Sequence, residues 1–499
     1  MRKEIAAGAT WMLAFKFTER ALGLFSTVIL ARILLPSDFG ILAMALSLVA
    51  VLELLTSFSF DVALIQRHEV DRRHLDTAWT FNLIFGVVSF ALMVALAPAA
   101  ATYYRDARIE AVVYVVAAGW LIQNFENIGT VAFRRDLRFG REYWFLAAKK
   151  LLGVAVTVSL AFMLRSYWAL VIGMVISKSL SVFISYQMHP YRPKLSLAAA
   201  RDLLAFSGWL LVNNALWFFN QRITDFIVGR LAGAQALGLY NMSFEISNMP
   251  TTEIAAPVNR AMLPGYSKIA RESGQLSQTY LDTVGAMALL TMPAGIGIAA
   301  IADPLVTVLL GPKWIEAIPL MQILGVYGAI ASVGTNTSSA LLALGRPRML
   351  TALAAARIAL LLPALLAATQ TFGIGGAAWA VLIVTVVMTP VNFGVLLPKL
   401  GVRTTAFLGC LWRPAFASAA MFYLVAETGA LLQYFDVHRP MAHLAAGVFV
   451  GVSSYTIMIL LLWVLVGRPG GAESIVLRLA MSRLRRTSPD RGQSRPGKP

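Results

Sequence analysis

The chain has few of the residues that catalysis and metal binding usually require. It contains one cysteine, Cys410, among 499 residues, so no internal disulfide and no cysteine-rich metal site can form. Its five histidines are scattered without the spacing of metal ligands. A glycine-rich phosphate loop, an HExxH sequence and a nucleophile elbow are all missing. We therefore predict that the protein is not an enzyme and that it needs no cofactor.

Charge is also scarce. Charged residues make up 13% of the chain, against about 25% in ordinary soluble domains, and 58% of the residues are hydrophobic. The mean hydropathy is +0.70. The formal net charge is +17, but no basic cluster is interleaved with aromatic residues, which argues against a nucleic-acid partner. The composition predicts an all-α integral membrane protein.

Apolar runs of roughly 20 residues, the length that crosses a bilayer, recur along the chain. We count fourteen, near residues 8–33, 39–63, 75–98, 110–133, 143–163, 167–187, 203–231, 238–262, 280–301, 316–343, 350–370, 374–397, 405–427 and 441–467. Lys and Arg gather in alternate loops and in the tail. By the positive-inside rule, we expect a multi-pass protein of the bacterial inner membrane with both termini cytoplasmic.

A pattern in the first half recurs in the second. Arg32–Gly40 (RILLPSDFG) matches Arg230–Gly238 (RLAGAQALG) at an offset of 198 residues. Leu75-Asp76-Thr77 returns as Leu281-Asp282-Thr283 at an offset of 206. The repeat predicts a lobe of six helices over residues 1–200 and a second, parallel lobe over 201–400. Two more helices follow over 401–468, and then a basic cytoplasmic tail over 469–499. Duplicated membrane halves around a midplane site are typical of secondary transporters.

Polar side chains inside these spans are the candidate site, because charge at bilayer depth is costly and usually functional. Lys16, Glu19 and Arg20 share one helix face. The substrate-cavity candidates are Lys16, Glu19, Arg20, Asn213, Trp217, Asn220, Gln221, Arg222, Asn241, Glu245 and Asn248. The alternative is purely structural: hydrogen bonds between helices, or ion pairs such as Lys16 to Glu19. Five cations near helix ends are interpreted as membrane anchors: Arg32, Lys149, Lys150, Lys178 and Arg230.

The stretch from Asn220 to Lys268 resembles a diagnostic segment of the polysaccharide-exporter family. A polar residue in a membrane helix is followed by Gly-x-x-x-Gly-Ala-x-x-Leu-Gly-x-Tyr, then by a proline, and last by Pro-x-x-Ser-Lys. These features read here as Gly229, Gly233-Ala234, Leu237-Gly238, Tyr240-Asn241, Pro250 and Pro264 to Lys268. Arg32 to Gly40 is similar to the first-lobe version of the same pattern.

The resemblance implies a Wzx-type flippase of undecaprenyl-diphosphate-linked oligosaccharide, in the superfamily shared with multidrug and toxin extruders (MATE) and lipid II flippases. A cationic cavity would replace the water around the head group, and Lys16, Arg20 and Arg222 are the candidates for the diphosphate. Glu19, Glu53 and Asp61 could bind a coupling H⁺ or Na⁺. The expected partners are the lipid-linked oligosaccharide, membrane lipids and the polysaccharide polymerase machinery.

Three other functions stay open at this point. A multidrug extruder of the same superfamily would need a cavity dominated by carboxylates and aromatics, whereas cationic and amide groups are at least as frequent here. An integral-membrane glycan polymerase or ligase would need acidic residues in a large external loop, and the expected external loops are short. A non-transporting scaffold would leave the polar helix faces without a role.

Overall fold

The computed structural model describes residues 2–56, 64–65, 70–200, 208–272, 275–436, 439–468, 470–471 and 473–474. Its longer elements are all α-helices. They are α1 (Arg2–Ile33), α2 (Pro36–Thr56), α3 (Arg72–Tyr104), α4 (Arg108–Gln123), α5 (Phe139–Leu164), α6 (Tyr167–Met188), α7 (Gly208–Ser247), α8 (Ala256–Glu272), α9 (Leu276–Ala300), α10 (Ala317–Gly334), α11 (Asn336–Ala343), α12 (Pro347–Leu400), α13 (Thr404–Tyr434) and α14 (Pro440–Leu465). The prediction of an all-helical membrane fold is confirmed.

Eight helices of the described part of the chain are long and apolar enough to cross a membrane. One of them, α12, has 54 residues and would be about 80 Å long as a single rod, far more than the roughly 30 Å of hydrocarbon. Gly373 interrupts it with φ 60° and ψ −144°. Gly233 interrupts the 40-residue α7 with φ 84° and ψ −178°. Positive φ favours glycine because it has no Cβ, so both breaks are encoded in the sequence.

The structure divides into two compact units. The first comprises Met1–Ser243, Val306–Leu320 and Thr351–Val381. Within it, α5 packs on α1 and α6, and α4 packs on α3 and α6. One apolar cluster of this unit joins the end of α1 to α5 and α6: Leu30, Leu34, Ala161, Ala169 and Leu170.

An extended segment after α6 is fastened to the start of α3 in the first unit. The Asp76 carboxylate accepts the backbone N–H of Lys194 at 3.0 Å and also accepts the Tyr191 hydroxyl. Thr80 Oγ1 accepts the N–H of Ser196 at 3.0 Å, and Thr77 Oγ1 accepts that of Ala199 at 3.1 Å. Side chains on successive turns of α3 therefore hold a segment that has no regular secondary structure.

The second unit comprises Phe244–Leu305, Met321–Leu350 and Leu382–Pro499. In it α13 packs on α9 and α14, and Tyr455 Oη donates to the carbonyl of Leu289 at 2.8 Å. A buried ion pair joins Arg413 of α13 to Glu473, which follows α14, at 3.2 Å. Residues 475–499 of the expected basic tail lie outside the described residues.

Candidate functional site

The two copies of the repeated segment contact each other within the first unit. A Cβ added to Gly40 would lie 1.7 Å from the carbonyl oxygen of Ala234. A Cβ added to Gly238 would lie 1.8 Å from the carbonyl oxygen of Pro36. Gly238 and Ala234 are the repeat partners of Gly40 and Pro36, at the same offset of 198 residues. The contact is therefore reciprocal, and only glycine fits at its two centres.

Arg32, the first residue of the first segment, and Lys313, which precedes α10, donate hydrogen bonds to backbone carbonyls. Arg32 donates through Nε to the carbonyl of Leu309 at 3.2 Å and through Nη2 to that of Val308. In return, Lys313 Nζ donates to the carbonyl of Ile33 at 2.8 Å, and Trp314 Nε1 donates to that of Ala31 at 2.9 Å. The last carbonyls of α1 would otherwise lack partners, because a helix leaves its final four unsatisfied.

Arg230, the repeat partner of Arg32, stacks on an aromatic ring. Its guanidinium lies 5.6 Å from the ring centroid of Tyr103, a cation–π distance. The interpretation of Arg32 and Arg230 as membrane anchors misses these protein contacts. Both arginines connect helices of the first unit.

Three polar side chains of α7 meet in the first unit. Arg222 Nη1 lies 3.1 Å from the Oδ2 atom of Asp225, and the side chain of Asn241 lies beside Asp225. The Asp225 side chain is 8% exposed, whereas that of Arg222 is 44% exposed. A buried carboxylate thus orients a guanidinium whose remaining N–H groups can reach an anion.

A buried hydroxyl pair stands beside this group. Gly229, one turn after Asp225, would bring an added Cβ within 2.8 Å of the Tyr104 ring. The Tyr104 hydroxyl is 2.6 Å from Ser47 Oγ, which donates to the carbonyl of Met44. This pair links α2 to α3, and the Tyr104 ring packs against α7 at Gly229.

The first-helix candidates form an ion pair of their own. Lys16 Nζ lies 2.8 Å from Glu19 Oε2, with side chains 60% and 39% exposed. Arg20 is half-buried. Asn220 donates weakly to the carbonyl of Ala354, at 3.4 Å. The Lys16–Glu19 contact matches the structural alternative, but a pair this exposed contributes little stability, and it leaves the lysine accessible to a ligand.

Glu245 and Asn248 belong to the second unit. Glu245 is exposed, and Asn248 has a buried Oδ1 atom without a hydrogen-bond partner. In the same unit, Asn259 donates to Thr335 Oγ1 at 2.7 Å.

Several candidates lie outside the described residues. For Asp61 this holds for the whole residue, and for Asn213, Trp217, Gln221 and Glu53 it holds for the side chain. The structure therefore brings together two candidate pairs, Lys16 with Glu19 and Arg222 with Asn241. Their connecting residue, Asp225, was not a candidate from sequence, although its place three residues after Arg222 is a recognisable pairing signal.

No group of three or more His, Cys, Asp or Glu side chains among the described residues could hold a metal ion. Of the proposed coupling carboxylates, Glu19 is the one whose side chain is described, and it is paired with Lys16.

The fold is that of known membrane transporters. A lipid II flippase, MurJ in its inward closed conformation, superposes with a TM-score of 0.73 over 91% of this chain and 99% of its own, at 12% identity. An inward-facing multidrug resistance MATE family transporter superposes with a TM-score of 0.61 over 77% and 94%, at 16% identity. The chain is thus a multi-span α-helical membrane protein of the fold shared by these two groups.

Sequence comparison gives the family. The model of the family described as "Polysaccharide biosynthesis protein" matches residues 29–319, more than half of the chain, and the protein belongs to that family. Its relatives include the lipopolysaccharide biosynthesis protein WzxC of Escherichia coli (strain K12), 23% identical over 87% of this chain and 89% of WzxC. The succinoglycan biosynthesis transport protein ExoT of Rhizobium meliloti (strain 1021) is 24% identical over 92% and 93%. The family resemblance is confirmed.

Proposed function

We propose that the protein flips undecaprenyl-diphosphate-linked oligosaccharide repeat units across the bacterial inner membrane by alternating access. The repeat units would feed the synthesis of a surface polysaccharide such as O-antigen, capsule or exopolysaccharide. Membership of the polysaccharide biosynthesis family and the flippase-type fold support this function, as does the name of the relative ExoT, a transport protein.

The observation that carries the proposal is the half-exposed Arg222 guanidinium, oriented by the buried carboxylate of Asp225. A planar guanidinium held on one side by a carboxylate offers its other N–H groups to phosphate oxygens in a fixed direction. Lys16, also half-exposed, supplies a second cation that a diphosphate could reach. Asn220 and Asn241 are suited to sugar hydroxyls, because amides both donate and accept hydrogen bonds.

The reciprocal contact of Gly40 and Gly238 supports two parallel six-helix lobes over residues 1–200 and 201–400. A contact that repeats itself under the 198-residue offset is what a two-fold axis between duplicated halves produces. The glycine breaks of α7 and α12 support the count of fourteen spans, because each splits one long helix into two segments.

The expected orientation gives the contacts of Arg32 and Lys313 a role. With both termini in the cytoplasm, the loop after α1 and the loop before α10 lie on the outer side. The hydrogen bonds from Arg32 and Lys313 to each other's neighbouring carbonyls then hold the two loops together and close the outer side. Opening outward would require these hydrogen bonds to break, and the substrate is the ligand whose binding could shift that equilibrium.

Reconstitution tests the proposal directly. Purified protein in liposomes should move a fluorescent undecaprenyl-diphosphate oligosaccharide to the inner leaflet, as measured by loss of the fraction that an external quencher reaches. Empty liposomes and liposomes carrying an Arg222→Gln variant are the matched controls. Equal rates in all three preparations would refute the proposal.

The same liposomes separate the alternatives. Uptake of organic cations without movement of the lipid-linked sugar would identify a multidrug extruder. Lengthening of the glycan chain in the presence of the lipid-linked repeat unit would identify a polymerase. An imposed H⁺ or Na⁺ gradient shows whether flipping is ion-coupled.

A further inference from the structure

A small charged cavity lies outside the proposed substrate site, beside the first turns of α5. Its volume is about 160 Å³. It is lined by two carboxylates, two cations and apolar side chains, among them Glu126, Arg134, Glu142, Phe145 and Lys149. Each side chain comes from the connection between α4 and α5 or from α5 itself, so the first unit contains the whole cavity.

Glu142 contributes to the cavity wall a buried carboxylate of which one oxygen is paired. Glu142 is 3% exposed, and its Oε1 atom pairs with Arg134 Nε. Its Oε2 atom is buried and has no hydrogen-bond partner within the described residues. A buried carboxylate that is only partly paired is unfavourable, so a cationic donor that occupies the cavity would be stabilised beside it.

The cavity wall also carries cationic donors. The Arg134 side chain is 51% exposed, and Glu142 occupies its Nε atom. Lys149 Nζ lies 2.9 and 3.0 Å from the two carboxylate oxygens of Glu126, and Ser181 Oγ donates to the same carboxylate at 2.9 Å. The outer N–H groups of Arg134 suit an anionic group, since guanidinium binds phosphate well.

The depth of the cavity points to the lipid head groups. α5 has 26 residues, about 39 Å of helix, which exceeds the roughly 30 Å of hydrocarbon, so its first turns reach the interface. Tyr143 and Trp144 occupy the same turns, with Trp144 63% exposed and the ring centroids of Trp11 and Tyr143 5.2 Å apart. Aromatic side chains concentrate at the level of the head groups.

Hydrogen bonds hold the connection that forms one wall of the cavity. Asn127 accepts the N–H of Gly129 at 2.9 Å and donates to the carbonyl of Tyr191 at 2.8 Å, while its own N–H donates to Ser185 Oγ at 3.0 Å. The connection that carries Thr130 and Arg134 is therefore fixed by hydrogen bonds, and a ligand would find the cavity already formed.

We propose that this cavity binds the zwitterionic head group of an aminophospholipid, phosphoethanolamine in chemical terms, with the ammonium beside the Glu142 carboxylate and the phosphate on Arg134. A choline head group cannot replace it, because a trimethylated ammonium has no N–H to donate. A glycerol head group lacks the positive charge that a buried carboxylate requires. The site is distinct from the one proposed for the transported substrate.

Native mass spectrometry of the full chain tests the site with phosphatidylethanolamine, phosphatidylcholine and phosphatidylglycerol as competing probes. We expect one phosphatidylethanolamine to be retained preferentially, and Glu142→Gln to weaken its retention at least about tenfold, the loss of one charge-assisted hydrogen bond. Glu427→Gln, on an exposed face of α13, is the matched control and should leave retention unchanged.

A second variant keeps the test decisive if Glu142→Gln folds poorly. Arg134→Lys keeps a cation beside Glu142 but loses the guanidinium N–H groups that suit phosphate, so it should lower phosphatidylethanolamine retention with little change in Tm. Soluble phosphoethanolamine separates the two sources of the head group. If it competes with the lipid, the head group alone is recognised; if it does not, the acyl chains also contribute to binding, and both results agree with the site. Equal retention of the three lipids, or retention that neither variant changes, would overturn the proposal.

Discussion

Gly40 and Gly238 each contact a backbone carbonyl oxygen of the other repeated segment at the place where a side chain would begin. The oxygen is that of Ala234 for Gly40 and that of Pro36 for Gly238. Backbones approach this closely in membrane bundles where small residues line the contact. Here the two sides also correspond under the repeat. The contact thus supplies a direct way to perturb the outer end of the proposed transport path.

A methyl group at either glycine should separate the two segments. We expect Gly40→Ala and Gly238→Ala each to destabilise the protein by about 1–3 kcal/mol, because the obstacle is backbone rather than a flexible side chain. The double variant should cost less than the sum, since the first methyl already opens the contact. Tm in detergent measures the effect, and Gly394→Ala, with open space around its Cβ, is the control.

Removing the Arg222 charge should impair substrate binding more than folding. We expect Arg222→Gln to weaken binding of the lipid-linked diphosphate at least about tenfold, the value of one charge-assisted contact. Arg222→Lys should be intermediate, since it keeps the charge and loses the planar fork. Arg222→Glu is a poorer test because it sets two carboxylates side by side at buried Asp225. Unchanged flipping in the Gln variant would remove Arg222 from the site.

We expect the Asp76 carboxylate to stabilise the extended segment that follows α6. Asp76→Ala loses its bonds to Lys194 and Tyr191, and each bond to a charged group is worth about 1.5–3 kcal/mol, so local opening becomes easier. Limited proteolysis between residues 190 and 199 should accelerate. Asp282, the repeat partner, accepts from Gln278 on its own helix, so Asp282→Ala should leave this cleavage rate unchanged.

The same segment should loosen in acid. Burial lowers the pKa of His189, with Arg138, Arg141 and Arg192 adding to the effect and Asp136 opposing it. As pH falls below about 6.5, the open state takes up a proton that the closed state resists, and closure weakens. The opening equilibrium of residues 189–199, obtained from hydrogen exchange after division by the intrinsic exchange rate at each pH, should therefore increase between pH 7 and pH 5, by less than about tenfold for a partly exposed group. His189→Gln should abolish this pH dependence.

Cysteine labelling tests the orientation. After replacement of Cys410, cysteines at Thr102 and Gln433 should react with an impermeant reagent in intact cells, and cysteines at Asp136 and Arg348 should react only after permeabilisation. All four positions lie near helix ends. The reverse pattern would invert the proposed topology.

Hydropathy and the positive-inside rule suffice for the helical membrane class, because the bilayer leaves few other ways to satisfy the backbone. The repeat also identifies Gly40 and Gly238 as equivalent positions, but it does not predict that the two glycines lie in contact. The partner of Lys149 is beyond this reasoning. Lys149 was interpreted as an anchor, but it pairs with Glu126, 23 residues away. Pairing across helices depends on packing angles that periodicity does not contain.

The Gly40–Gly238 contact has the form of a homodimer interface within one polypeptide. In a true homodimer one gene encodes both sides of the interface. Every substitution therefore occurs on both sides at once and must be compatible with its own copy. A tandem chain is free of that constraint. Pro36 now faces Gly238 while Ala234 faces Gly40, two different neighbours at one ancestral position, and selection can tune the strength of the outer contact one side at a time.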